Sequence, residues 1–385
     1  KAIENYSTNI VRKWGNVRVN LESMVSGVMP PKSNHYGMQV GGTAMALLVI
    51  DQEPWVDQQR IDSLLEVNTR SMVHNITQGF GDGGYFAEGD GTGSMASQIA
   101  YLTALQAWKQ AKGMDFVNVD RPNARMTALK WLYLTVVKDG HPEIWPIRGG
   151  YPHNVWSREG ISGAGYFSLP FGVLSASHSA ALKWFYEQFL LEADLKTGIP
   201  YEVSDYPHLV VCAFVNWPTE LRPKNPAKVL PLSYRDSKNG FYAWRNRWQD
   251  ANDVVITALT QDVRGFMKEV ADTSFHVMAF GEKMTWGSIP GKVKHWQHST
   301  DGSTSTLVFD NGLTVGVDLS GKSGAAVVLI ANGVFEGEQV NLNGQVVTIK
   351  YLTQKDSTPR LRMRGKYIKL GKRRIEWKEG QWIFR

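Results

Sequence analysis

Cysteine is nearly absent from the chain. Cys212 stands alone in 385 residues, so an internal disulfide framework is excluded. Its apolar surroundings point to a buried, inert thiol, the usual state of a free cysteine. Long apolar runs are missing too: GGTAMALLVI and YPHLVVCAFVNW are the longest candidates and both are too short for a membrane span. No signal peptide is visible and the first residue is Lys1, which leaves export neither shown nor excluded. No internal repeat stands out. The Lys-Ser/Thr ending of a phosphate loop, the EF-hand spacing, standard zinc spacings and nucleic-acid-binding signatures are all missing.

Charged residues make up 20% and apolar ones 43%, a balance that excludes disorder and allows a sizeable core. The length suits two domains better than one. The net charge of +6 is unevenly spread. Between Arg360 and Arg385 stand ten Lys/Arg and two Glu, a local net of +8, which leaves −2 for the remainder. Such a tail either contacts a polyanion or protects edge strands from aggregation. Tryptophan is plentiful, with 14 residues, many beside polar groups. Aromatic faces stack on sugar rings, and they also fill cores.

Periodicity divides the chain. Ile61, Leu64, Leu65, Val67, Met72 and Val73 fall near helical spacing, and Ile99, Leu102, Leu105 and Trp108 do so more clearly. Pro122 opens a further expected helix through Leu129, Trp131 and Leu132, and residues 172–193 form another. Beyond Pro223–Pro231 the period becomes two, in segments such as FYAWRNRW, DVVITALTQ and AAVVLIANG, separated by DNG, ANG and LNG turns. The expectation is an α+β multidomain chain: residues 1–225 a helical domain of packed hairpins around a cleft, an incomplete (α/α) toroid, and residues 226–385 an antiparallel β-sheet sandwich.

Three segments gather chemistry. SNHYG, Ser33 to Gly37, puts an amide (Asn34) and an imidazole (His35) at a helix entrance; a plain N-cap by Ser33 or Asn34 is the alternative. GDGGYFAEGDGTGS, Gly81 to Ser94, is rich in Gly and carries Asp82, Tyr85, Glu88 and Asp90, and also reads as a tight turn. RGGYPHNVWSREGISGAGY, Arg148 to Tyr166, collects Arg148, His153, Asn154, Trp156, Arg158 and Tyr166 without apolar spacing, which is poor material for a core. Asp272, His276, His295 and His298 come nearest to a metal set but fit no zinc spacing, so no metal is expected.

These segments resemble the heparinase II/III-like and alginate-lyase-like polysaccharide lyases, which join an incomplete α/α toroid to an antiparallel β-domain. The resemblance covers nearly the whole chain. SNHYG is similar to the family's NNHG motif, which implies that Asn34 neutralises a uronate carboxylate and His35 acts in proton transfer. Asp82-Gly83-Gly84-Tyr85 is similar to its DG-aromatic stretch, and NGFYAWRNRW, Asn239 to Trp248, to its first β-domain strand. The family's tyrosine on the helix after the DG stretch has no counterpart in DGTGSMASQ, where Tyr85 and Tyr101 are the nearest. Its His-x-His-x-Asp signature is also missing.

The resemblance implies β-elimination on an acidic, uronate-containing polysaccharide, in a secreted or periplasmic setting, with no redox cofactor and no nucleic-acid partner. The C5 proton of a uronate is weakly acidic while the carboxylate stays ionised. The site must therefore stabilise growing charge there, a role for Asn34 with Arg148 or Arg158. A base must also lie in reach, as His35, His153 or a tyrosinate, and an acid must serve the departing O4, with Tyr166 before Tyr85. Asn154, Trp156 and Glu88 complete the expected substrate contacts. Two rivals stand beside this reading. A glycoside hydrolase would need two facing carboxylates, from Glu88 with Asp90 or from Asp82 with Glu143 or Glu159. The other is a binding protein without turnover.

Overall fold

A computed structural model describes residues 12–14, 17–89, 92–117, 121, 125–138, 141–145, 168–192, 208–260, 274–288, 291–321, 324–333, 335–353 and 360–385. Helices dominate to Asn216 and strands from Ser233 onward. In the first part, α1 (Leu21–Val25) is held by a capping box between Asn20 and Ser23. Helix α2 (Asn34–Ile50) starts at Ser33, whose hydroxyl accepts from the N–H of His35. Asp57 caps α3 (Gln58–His74) in the same way. Helix α4 (Thr92–Lys112) packs along α2. Buried Asn68 ties all three together: its amide donates to the Val40 carbonyl at 2.9 Å and accepts from the Trp108 indole at 3.1 Å.

The expected helix after Pro122 is shorter and broken. The described residues form α5 (Met126–Leu129) and α6 (Trp131–Leu134), then a hairpin of Thr135–Lys138 with His141–Ile144. The apolar run WLYLTVV suits helix or strand, and the β-branched Thr-Val-Val end favours strand. The segment expected over 172–193 is helical from Ala176 to Phe185 and passes into a π turn to Leu190.

The C-terminal part is built of antiparallel sheets, three of them in layers. The first is a five-stranded meander, β1 (Ser233–Asp236), β2 (Phe241–Arg245), β3 (Val255–Leu259), β4 (Ser274–Ala279) and β5 (Glu282–Ser288). The second has six strands between Val293 and Leu352, and the third has four between Leu361 and Phe384. One face of the first sheet, with Phe241, Ala243 and Leu259, joins the helical core. Its other face, with Tyr242, Trp244 and Ile256, packs on Val315, Val317 and Val328 of the second. The second sheet turns Val327, Leu329 and Ile349 to Ile368, Ile375 and Trp382 of the third. Strands Phe241–Arg245 and Ala326–Ala331 are accordingly buried at every position, as inner-layer strands must be. The helical core also takes in Leu230, Tyr234 and Trp248, so packing is continuous across residue 225.

The helical part meets the first sheet through the Gly81–Gly89 loop. The approach is so close that a Cβ on Gly83 would lie 2.0 Å from the Arg235 carbonyl oxygen, and one on Gly81 would lie 1.8 Å from the Asp236 carboxylate. A backbone carbonyl cannot swing aside as a side chain can. Gly83→Ala should therefore cost about 1–3 kcal/mol through forced displacement, read as a lower Tm in thermal unfolding. An unchanged Tm would show that this contact is looser than the geometry states.

Candidate active site

The Asn34–His35 helix entrance and the Gly-rich loop meet. Asn34 N–H, freed at the start of α2 where no helical acceptor exists, donates to Glu88 Oε2 at 2.5 Å. Both residues are buried. The Glu88 carboxyl is pushed above its ordinary range by burial, with the Asn34 N–H pulling the other way. Asn34 Oδ1 is buried with no hydrogen-bond partner among the described residues, an arrangement that costs stability unless something else uses it. His35 is half-buried, and burial lowers its pKa, favouring the neutral imidazole. The contact brings a buried carboxyl to the backbone of the helix entrance that carries Asn34 and His35.

The other end of the loop is anchored elsewhere. Buried Asp236 accepts from the N–H of Gly83 at 3.0 Å, Tyr85 at 2.8 Å and Asn239 at 2.9 Å. The Asn239 amide donates to the Tyr85 carbonyl at 2.7 Å, and exposed Asp82 accepts from Lys238 N–H. Tyr85 is fully buried, its ring stacked on Phe241 at 4.2 Å between centroids and 4° between planes, with the Lys130 ammonium 5.0 Å from its centroid. This corrects the expectation of Tyr85 as a proton carrier: its ring is packing material between helices and sheet. Tyr101 is no substitute. It is buried, bonded to the Met72 carbonyl at 2.7 Å, and burial raises its pKa well above the usual value. Tyr36 is likewise buried, and its hydroxyl faces the Ser71 carbonyl.

Arg148, His153, Asn154, Trp156, Arg158 and Tyr166 lie outside the described residues, as do Asp90, Glu159 and Asp272. Of the carboxylates a hydrolase would need, Glu143 pairs with Lys283 and Asp82 faces the first sheet. His276 is buried edge-on to Trp145, while His295 and His298 are exposed on another strand. No group of three metal-ligating side chains occurs among the described residues. None of the described helices is long and apolar enough to cross a membrane.

Sequence reading missed Asp236. Standing in SYRDSKNG before a turn, it looks like an ordinary turn former, and only the fold brings it to Gly83 and Tyr85. Burial, with Asp82 nearby, raises its pKa to about 6. The folded state then holds this proton more tightly than the unfolded chain does. The stabilisation is complete below the unfolded carboxyl's pKa and is lost as the pH rises to about 6. The stability difference between wild type and Asp236→Asn should therefore shrink by about 1–3 kcal/mol over that window, measured by urea unfolding at several pH values. A difference that stays flat would contradict the assignment.

No protein-family model matches the chain, and no curated protein sequence does. Some solved structures are similar. Heparinase III is 11% identical with a TM-score of 0.45, over 95% of this chain and 60% of its own. Heparan sulfate lyase HepC from Pedobacter heparinus is 10% identical with a TM-score of 0.43, over 94% of this chain and 67% of its own. A mutant of that lyase is 11% identical with a TM-score of 0.42, over 94% and 58%. The chain thus spans about three fifths of the length of heparinase III.

Proposed function

We propose that the chain is a polysaccharide lyase that cleaves a uronate-containing polysaccharide by β-elimination, with residues 1–225 forming an incomplete (α/α) toroid and residues 226–385 a β-sheet domain. One observation supports the reading: the Asn34 N–H to Glu88 contact, which brings a buried carboxyl to the helix entrance that carries Asn34 and His35. Half a turn of the Asn34 amide exchanges its unpartnered oxygen for an N–H aimed at a uronate carboxylate. Glu88 in its protonated form donates a second hydrogen bond, and an incoming carboxylate raises its pKa further. Both donors stabilise the charge that builds as C5 loses its proton. Neutral His35 takes that proton. The C5 electron pair forms the C4–C5 double bond, the C4–O4 bond breaks, and Tyr166 gives O4 a proton. Arg148 or Arg158 assists at the carboxylate, with His153 as the alternative base.

The raised pKa of Glu88 also suits the general acid of a hydrolase, which keeps hydrolysis as the second reading. Incubation with a panel of acidic polysaccharides separates the two. Elimination makes a conjugated double bond that absorbs in the ultraviolet. New reducing ends without that absorbance mean hydrolysis, and binding without products means a non-catalytic protein.

A further inference from the structure

The basic tail is organised by the third sheet: β6 (Leu361–Arg364), β7 (Tyr367–Leu370), β8 (Arg373–Lys378) and β9 (Gln381–Phe384). Ile368, Leu370, Ile375 and Trp382 face inward onto the second sheet, so the alternate positions face solvent. Register places Arg362 opposite Lys369, and Lys369 opposite Arg374. Arg374 and Arg385 exchange backbone hydrogen bonds at 2.8 and 2.9 Å. One cation from each strand, or the residue just beyond it, thus stands in a single row across the sheet, and all four are exposed.

Glu376 bridges Arg374 and Arg385. Arg362, Lys369 and neighbouring Arg364 have no carboxylate partner among the described residues. Like charges directly opposite one another destabilise a sheet, so the fold gains nothing from setting Arg362 opposite Lys369. Edge protection accounts for cations on β6 and β9, but Lys369 and Arg374 lie on the two central strands.

From this row we infer that the outer face of the third sheet is a docking site for an acidic polysaccharide chain, separate from the Asn34–Glu88 site. The charges repeat at the strand spacing of about 4.8 Å, close to the length of one sugar ring in an extended polyuronate, so successive carboxylates can meet successive cations. A single-stranded nucleic acid would need open aromatic platforms for its bases. Tyr367, the aromatic side chain on this face, is covered by the Arg374 guanidinium 4.2 Å from its centroid. Docking here needs no turnover.

The test uses the full chain carrying His35→Ala, so that any cleavage is slowed, and measures binding of alginate oligosaccharides at several salt concentrations. Adding Arg362→Gln, Arg364→Gln and Lys369→Gln should weaken binding by about tenfold or more and flatten its salt dependence, because fewer counterions are released. Tm should stay the same or rise as the row's repulsion is relieved, which separates lost docking from lost folding. The matching Arg→Lys changes should retain binding. Unchanged affinity and salt dependence in the triple Gln variant would overturn the site. Oligothymidylate bound as tightly as the oligouronate, and lost in the same variant, would overturn the choice of ligand.

Discussion

Replacing Asp253 by Ala should lower the unfolding free energy by roughly 3–5 kcal/mol, the cost of leaving a buried cation without its counter-ion. Arg245 and Asp253 are almost wholly enclosed, at 1% and 4% side-chain exposure, and meet at 2.7 Å. The same guanidinium donates to the carbonyls of Leu132 at 2.9 Å, Thr135 at 2.5 Å and Arg247 at 2.9 Å. It also lies against the rings of Phe189 and Trp248. One side chain of β2 thereby holds the end of α6 and the start of the following hairpin. Burial presses the Arg245 pKa down and Asp253 presses it up; without the carboxylate only the downward pressure remains. Arg245→Met combined with Asp253→Ala should cost less than the two single changes added together, since the pair leaves as a unit. It should still destabilise, because three carbonyls lose their donor. Denaturant unfolding measures all three variants. A loss below about 1 kcal/mol for Asp253→Ala would mean that water reaches the guanidinium.

His35→Ala should reduce turnover by about 10²–10⁴-fold if the imidazole carries the C5 proton. The backbone N–H that bonds Ser33 remains in the variant. Burial lowers the His35 pKa, so the neutral, proton-accepting form prevails at neutral pH. In the wild type kcat/KM should then fall on the acid side, below the ordinary imidazole range, as His35 becomes protonated. The residual activity of His35→Ala should lack that limb. Asn34→Ala should lose a comparable factor through the missing donor, without shifting the acid limb. Full activity in His35→Ala and Tyr166→Phe, with loss in Glu88→Gln, would transfer the assignment to hydrolysis.

The helices of the first part and the switch of period near residue 230 could be read because one-sided burial leaves a pattern in sequence. Gln58–His74 and Thr92–Lys112 lie close to where their apolar spacing puts them. The layering could not be read in that way. Strands such as Ala326–Ala331, buried on both faces, show as plain apolar runs that do not say what covers each side. At the site, Asn34, His35 and Glu88 each stood out by chemical type, yet their meeting spans 54 positions and no local rule announces it. Tyr85 misled for a related reason. An aromatic after Asp-Gly-Gly looks like an exposed loop residue until Phe241, far along the chain, supplies the ring that covers it.

The Gly81–Gly89 loop has a consequence for the order in which the protein comes into being. Its N–H groups at Gly83 and Tyr85 wait for an acceptor 153 and 151 positions later. A growing chain emerging from the ribosome can assemble its helices long before Asp236 and Asn239 have been synthesised. Until then the N–H groups of Gly83 and Tyr85 lack their acceptor, although Glu88 can already meet the Asn34 N–H. Pairings of such long sequence separation form late. In a fragment ending at residue 225 the amide protons at Gly83 and Tyr85, left without that acceptor, should exchange with solvent freely.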